Sequence, residues 1–175
     1  GIVTNAGGPG VMTTDAVGDS SLDLASFTDA TKDRLVEALP EGANVYNPVD
    51  VIGDAGVDRF ETALDIALDD PNVGMAVVLA CPTATLSFEA LAERTVAVQQ
   101  EHGQPGAATL MGGESTRAAA DTLSEAGIPT YFDPARAVGS LETLARYGRI
   151  RDRTVEEPER FDVDTEEARA VLESA

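Results

Sequence analysis

The 175-residue sequence has no tryptophan, one cysteine (Cys81), one histidine (His102) and one lysine (Lys32). Aromatic residues make up only 5% of it, so Ala, Val and Leu are left to fill a core. A lone cysteine excludes an internal disulfide and suits a reducing compartment, the cytoplasm. One histidine and one cysteine build no transition-metal cluster, so no metal site is expected. No Ser–His–Asp set can be assembled around His102, which is expected as a solvated loop residue. No apolar run approaches the ~20 residues that cross a bilayer. The longest, around Met75–Cys81, has the length of a strand.

Basic residues are scarce as well: 12 against 31 acidic ones, a formal net charge of −19. That excludes nucleic-acid binding through a basic footprint. Like charges at this density oppose the compact state unless salt screens them. The surface reads as that of a halophile's cytosolic protein, with an ordinary acidic bacterial protein as the alternative. What is present is apolar residues at 43%, enough to bury a core and to exclude wholesale disorder. The length suits one domain.

Along the chain, strand-like and helix-like segments alternate. Gly1–Thr4 reads as a strand, and a core strand at the first residue suggests a fragment or a processed product. A glycine turn and a helix from about Val11 to Val17 follow, with Leu22–Leu24 as a possible second strand. The next helix, capped by Thr28 or Asp29, has Leu35, Val36 and Leu39 on its apolar face and stops before Pro40. Asn47–Asp50 reads as a turn, with Asn47 kept out of the helical region by Pro48. Helix Asp58–Leu68 leads to the buried strand Met75–Ala80. Helix Ser87–Gln100, strand Gly106–Met111, helix Glu114–Glu125 and strand Ile128–Phe132 complete the alternation. A last helix runs from Asp133 or Pro134 to about Tyr147. This order predicts an α/β fold, a flavodoxin-like doubly wound parallel sheet of about five strands in three αβα layers. Residues 1–148 form that domain. Residues 149–163 read as a linker, and 164–175 as a helix capped by Thr165 that opens a following domain.

In such a sheet, ligands bind beyond the carboxyl ends of the strands, so the turns there carry the candidate chemistry. Asn5-Ala6-Gly7-Gly8-Pro9-Gly10 joins the first strand to its helix. Its glycines let backbone approach a ligand, and the N–H groups of the following helix favour an anion. Gly7, Gly8 and Gly10, with Asn5, are therefore candidate phosphate ligands; a merely tight turn is the competing reading. Cys81–Thr85 precedes another helix, where Thr83 and Thr85 offer hydroxyls to an anion, or Thr85 or Ser87 caps the helix. Asn47 and Asp50 form a third candidate, explained equally by an Asx turn. Glu114, after Gly112-Gly113, would complement a helix dipole. No residue presents itself as a catalytic nucleophile or base.

The segments Gly1–Val11, Tyr46–Val51, Asp70–Val73 and Ala126–Tyr131 resemble the NDP-forming acyl-CoA synthetases in order and spacing. The resemblance implies a parent enzyme similar to succinyl-CoA synthetase with its domains shuffled. It implies conversion of acyl-CoA, ADP and phosphate to acid, CoA and ATP through an acyl phosphate and a phosphohistidine. A CoA-binding domain, two flavodoxin-like domains and an ATP-grasp domain would share this work, with CoA, ADP or ATP and Mg as cofactors held elsewhere than here. The present sequence resembles the second flavodoxin-like domain. The resemblance places the phosphohistidine in a partner domain, and gives this chain a helix N-terminus against which it docks. A ligand-sensing module fused to an acetyltransferase is the alternative. A flavin binder would lack the aromatic residues to stack on the ring.

Overall fold

Ala76–Ala80 forms strand β3, and all five of its residues are buried. An uninterrupted apolar run suits a strand covered on both faces. In the computed structural model, which describes residues 1–153 and 164–174, β3 is the centre of a five-stranded sheet. The other strands are β1 (Ile2–Thr4), β2 (Val49–Asp50), β4 (Gly106–Leu110) and β5 (Thr130–Tyr131). Their spatial order is β2-β1-β3-β4-β5, and every pair is parallel. This is the flavodoxin-like winding.

The helices are α1 (Gly7–Gly18), α2 (Asp29–Ala38), α3 (Val57–Leu68), α4 (Phe88–His102), α5 (Arg117–Glu125), α6 (Pro134–Arg151) and α7 (Thr165–Glu173). The two-residue period of a strand divides their packing between two faces. Ile2, Val77 and Ala107 meet Val17 of α1 and Ala137, Val138 and Leu141 of α6. Val3, Val78 and Ala108 meet the larger layer, with Phe60 and Leu64 of α3, Leu91 of α4 and Leu123 of α5. Ala, Val and Leu do fill much of this core, joined by Phe27, Phe60 and Phe88.

Several elements differ from the sequence reading. α1 starts at Gly7, not near Val11, so Gly-Gly-Pro-Gly is itself the first helical turn. Proline fits there because its fixed φ and missing N–H are tolerated in that turn. The Gly10 N–H already reaches Ala6 O at 3.1 Å. Leu22–Leu24 is not a strand; the second strand is Val49–Asp50, within the expected turn. It pairs in register with Val3 and Thr4, and Asp50 also bridges to Asn44. Of the expected apolar face of α2, Leu35 and Leu39 are buried, together with Thr31, but Val36 is 61% exposed.

The other differences lie at helix ends. A 3₁₀ turn, Gly113–Thr116, separates β4 from α5. Glu114 lies in that turn and pairs with Arg117 at 3.0 Å. α6 continues to Arg151, beyond Tyr147 and into the stretch read as a linker. Asp164, not Thr165, caps α7 by accepting from the Glu166 and Glu167 amides. The remainder of the expected linker, 154–163, lies outside the described residues.

Candidate functional site at the carboxyl edge of the sheet

The strand order reverses between β1 and β3: the chain moves outward to β2 from one and to β4 and β5 from the other. A doubly wound sheet has its binding crevice at that reversal. Asn5 stands there, 4% exposed, one residue beyond β1. Its Nδ2 donates to Cys81 O at 2.9 Å, and its Oδ1 accepts the Cys81 N–H at 2.9 Å. The loops leaving the two strands are thereby locked side by side. The Asn5 carboxamide is committed to this link, so it positions the crevice instead of facing a ligand.

The start of α1 opens into the crevice. Ala6 is its N-cap and has no side-chain oxygen to offer the first turn. The Ala6 N–H is taken by Thr4 Oγ1 at 3.1 Å. Gly7 and Gly8 are exposed, and neither N–H meets an acceptor among the described residues. Two free donors at a helix N-terminus form an anion-binding arrangement. The three glycines differ in their reasons. A Cβ on Gly10 would lie 3.1 Å from Thr4 Cγ2 and 3.8 Å from the Pro48 ring, so glycine there lets α1 sit close on β1 and the β2 approach. A Cβ on Gly8 would meet nothing within 4 Å.

Asp50, at the end of β2, borders the same opening. Its Oδ2 lies 3.5 Å from the position of a Cβ on Gly7, and its Oδ1 accepts the Ile52 N–H at 2.9 Å. Ile52 has φ of 70°, a left-handed conformation that is costly for a β-branched side chain. Besides the Asp50 bond, the Ala55 N–H held by Ile52 O at 3.0 Å supports it. Arg59 reaches back from α3, donating to Val51 O at 2.9 Å and to Asp54 Oδ1 at 2.6 Å. Ile52, Asp54 and Arg59 did not stand out in the sequence. The signal for Arg59 was present, as an arginine in the first turn of the helix that follows Asn47–Asp50.

The rival turn lies beside the first, and its hydroxyls are engaged. Thr83 Oγ1 and Thr85 Oγ1 are 3.3 Å apart, and Thr85 donates to Asp54 O at 3.2 Å. Ser87 caps α4 by accepting the Ala90 N–H at 3.3 Å, with the Glu89 carboxylate on the same hydroxyl. A carboxylate borders each turn, Glu89 at α4 and Asp50 at α1; the difference is that Ser87 caps α4 through its side chain, whereas α1 has no side-chain cap. Asn47 is elsewhere. Its Oδ1 accepts the Ile2 N–H at 2.9 Å, at the opposite end of β1, and its Nδ2 donates to Ala25 O.

The chemically reactive side chains take no part in the opening of α1. Burial pushes the Cys81 thiol above its ordinary pKa, which disfavours the nucleophilic thiolate. His102 is the last residue of α4, at the amino edge of the sheet. It is not solvated: its side chain is 15% exposed and its Nε2 lies 2.8 Å from Asp65 Oδ1. Among the described residues, no group of three His, Cys, Asp or Glu side chains is placed to hold a metal ion. No described helix is long and apolar enough to cross a membrane.

Residues 1–154 match the family described as Ligase-CoA domain. The chain belongs to that family. This Ligase-CoA domain is 39% identical to the ADP-forming acetate–CoA ligase I of Archaeoglobus fulgidus, over 98% of the chain and 24% of that protein. It is 35% identical to the alpha subunit of the ADP-forming acetate–CoA ligase I of Pyrococcus furiosus, over 85% of the chain and 32% of the subunit. Among solved structures, it superposes with a TM-score of 0.78 on the dinucleotide-forming acetyl-coenzyme A synthetase 1 of Ca. Korarchaeum cryptofilum, in complex with phosphate and ADP. That match is 28% identical and covers 89% of this chain and 35% of the other. The chain thus spans about a quarter to a third of the proteins it resembles.

Proposed function

We propose that this Ligase-CoA domain forms half of a phosphate cradle in an ADP-forming acyl-CoA synthetase. The parent enzyme converts acyl-CoA, ADP and phosphate to acid, CoA and ATP. A phosphohistidine in another domain carries the phosphoryl group and docks against the start of α1. The observation that supports this reading is the pair of unpartnered N–H groups, Gly7 and Gly8, at an uncapped helix start beside the β1/β3 reversal. In a chain with one lysine and a net charge of −19, backbone donors and a helix dipole are a fitting source of local positive potential.

No covalent step is assigned to this domain. Its residues hold and orient the phosphoryl group; CoA, nucleotide and Mg belong to partner domains. Residues from 164 onward lead into the next domain, a reading supported by the family match ending at residue 154. The acidic surface is that of a cytoplasmic protein in concentrated salt.

A phosphate titration followed through the backbone amides tests the cradle. Saturable shifts at Gly7 and Gly8, with little change at Thr83 and Thr85, are expected. Shifts confined to Thr83–Ser87 would transfer the site to α4, and no saturable shift at either turn would remove it.

A further inference from the structure

At the amino edge of the sheet, opposite the cradle, residues 21–28 cross the face that carries α1 and α6. A cavity of about 190 Å³ lies between them and that face. Ile2 and Val77 of the sheet, Val17 of α1, and Val138 and Leu141 of α6 line its inner side, and all five are buried. Leu22 and Leu24 line it from the crossing segment and are only half-buried against that cluster. Asp23, Asn72 and Gly74, all exposed, mark its mouth.

The crossing segment is held at both ends and sparsely bonded between them. Glu142 Oε1 accepts the Ser21 N–H at 2.7 Å, and Arg149 donates to Ser21 Oγ at 3.0 Å. Asn47 donates to Ala25 O at 2.9 Å, and Asn72 to Ser26 O at 2.8 Å. Residues 22–24 have no regular secondary structure and make one described hydrogen bond, from the Leu22 N–H to Ser20 Oγ at 3.0 Å. Apolar contact is what keeps them down, and the cavity leaves that contact incomplete. Close-packed interiors have few voids larger than a water molecule. An apolar cavity of about 150 Å³ stays dry and takes up benzene.

The lining decides the charge of the occupant. The five side chains of the inner wall offer no hydrogen bond, so a buried charge there would lose its hydration without a partner. Asp23 is the one charged side chain among the described residues of the lining. The Gly1 nitrogen donates to Met75 O at 2.7 Å, and burial lowers the pKa of its amino group to about 5, so it supplies no cation at neutral pH.

We propose that this cavity binds a small neutral apolar molecule, a ring or branched chain of roughly six to ten non-hydrogen atoms, held between Val77, Val138 and Leu141 on one side and Leu22 and Leu24 on the other. The inference is independent of the phosphate cradle, since it concerns the other edge of the sheet.

The test is an NMR titration of the 175-residue chain, reading the methyl groups of Val17, Val77, Val138 and Leu141. The probes are toluene and benzoate, which carries a charge on the same ring. Saturable shifts with toluene are expected, with benzoate binding about tenfold more weakly or worse. Val17→Met extends a side chain into the cavity and is expected to weaken toluene binding by about tenfold. If that variant fails to fold, Val138→Ile fills the same space from α6 and is expected to weaken it in the same direction. The full-length synthetase is expected to respond to toluene as the chain does. Shifts linear in toluene, equal binding of the two probes, or undiminished binding in the filled variants would overturn the proposal. A full-length enzyme whose methyls ignore toluene would overturn it too, because a segment of the parent would then occupy the cavity.

Discussion

Asn5 grips the backbone of Cys81 from both sides, donating to its carbonyl and accepting its N–H, each at 2.9 Å across 76 positions of sequence. A carboxamide is the smallest side chain that carries donor and acceptor in this rigid arrangement. Aspartate would set an oxygen against the Cys81 carbonyl, and alanine would leave both groups of Cys81 bare. The crevice between α1 and the Cys81–Ser87 loop is held in register by this contact.

Asn5→Ala is expected to destabilise the domain by about 2 kcal/mol, from the two lost bonds and the groups left unpaired. Urea unfolding at neutral pH measures it. A loss near zero would show that the link between the two loops is dispensable.

The glycines of α1 divide into one that packs and one that stays open. Gly10→Ala is expected to destabilise by about 1–3 kcal/mol, because its methyl meets Thr4 at 3.1 Å. Gly8→Ala meets nothing and is expected to be neutral or to stabilise by up to about 1 kcal/mol. Thermal unfolding of both variants checks the contrast. Gly8→Val is consequently the cleaner functional probe. In the full-length synthetase, we expect it to lose phosphoryl transfer while the domain stays folded, and full activity would sink the cradle.

The central strand and the helices were legible in the sequence because each carries an uninterrupted apolar run or a helical period. β2 was not: two residues have no period, and Val49 and Asp50 extend only because Val3, Thr4 and Asn44 pair with them. The start of α1 was hidden because glycine and proline signal a turn locally, whereas the packing of Gly10 against Thr4 and Pro48 belongs to the tertiary structure. The candidate turns were found by their position after strands, which topology places on one edge. Their individual side chains were not, because no local pattern tells Asn5 that its partner is Cys81, or Asn47 that its partners are Ile2 and Ala25.

Asp70 is 1% exposed, and burial alone would raise its pKa. Hydrogen bonds from the Thr31 and Thr28 side chains and the Thr28 and Asn72 amides outweigh burial and hold the carboxyl below its ordinary value. A depressed folded pKa means stability that is present above the unfolded pKa of about 3.9 and lost as pH falls through the folded value. Asp70→Asn is expected to cost about 2 kcal/mol at pH 7. The gap between variant and wild type should narrow in acid, below the unfolded pKa. Urea midpoints at neutral and acid pH report it, and a gap that widened in acid would reverse the sign assigned here.

The charge imbalance yields the broadest expectation. With 31 acidic residues against 12 basic, few carboxylates find a cation, and the described ion pairs are mostly exposed, as at Arg151–Asp152 and Arg117–Glu114. Such pairs contribute little individually, so net repulsion among the remaining carboxylates governs the response to salt. The screening length falls from about 10 Å at 0.1 M to about 3 Å at 1 M, shorter than most separations between surface charges. The melting temperature should therefore rise steadily with KCl into the molar range, most steeply where screening first becomes effective. KCl is chosen over sulfate because excluded salts strengthen apolar burial in any protein, which would mimic the effect. A melting temperature indifferent to KCl would show that these carboxylates are not in conflict, and would remove the argument for a protein adapted to concentrated salt.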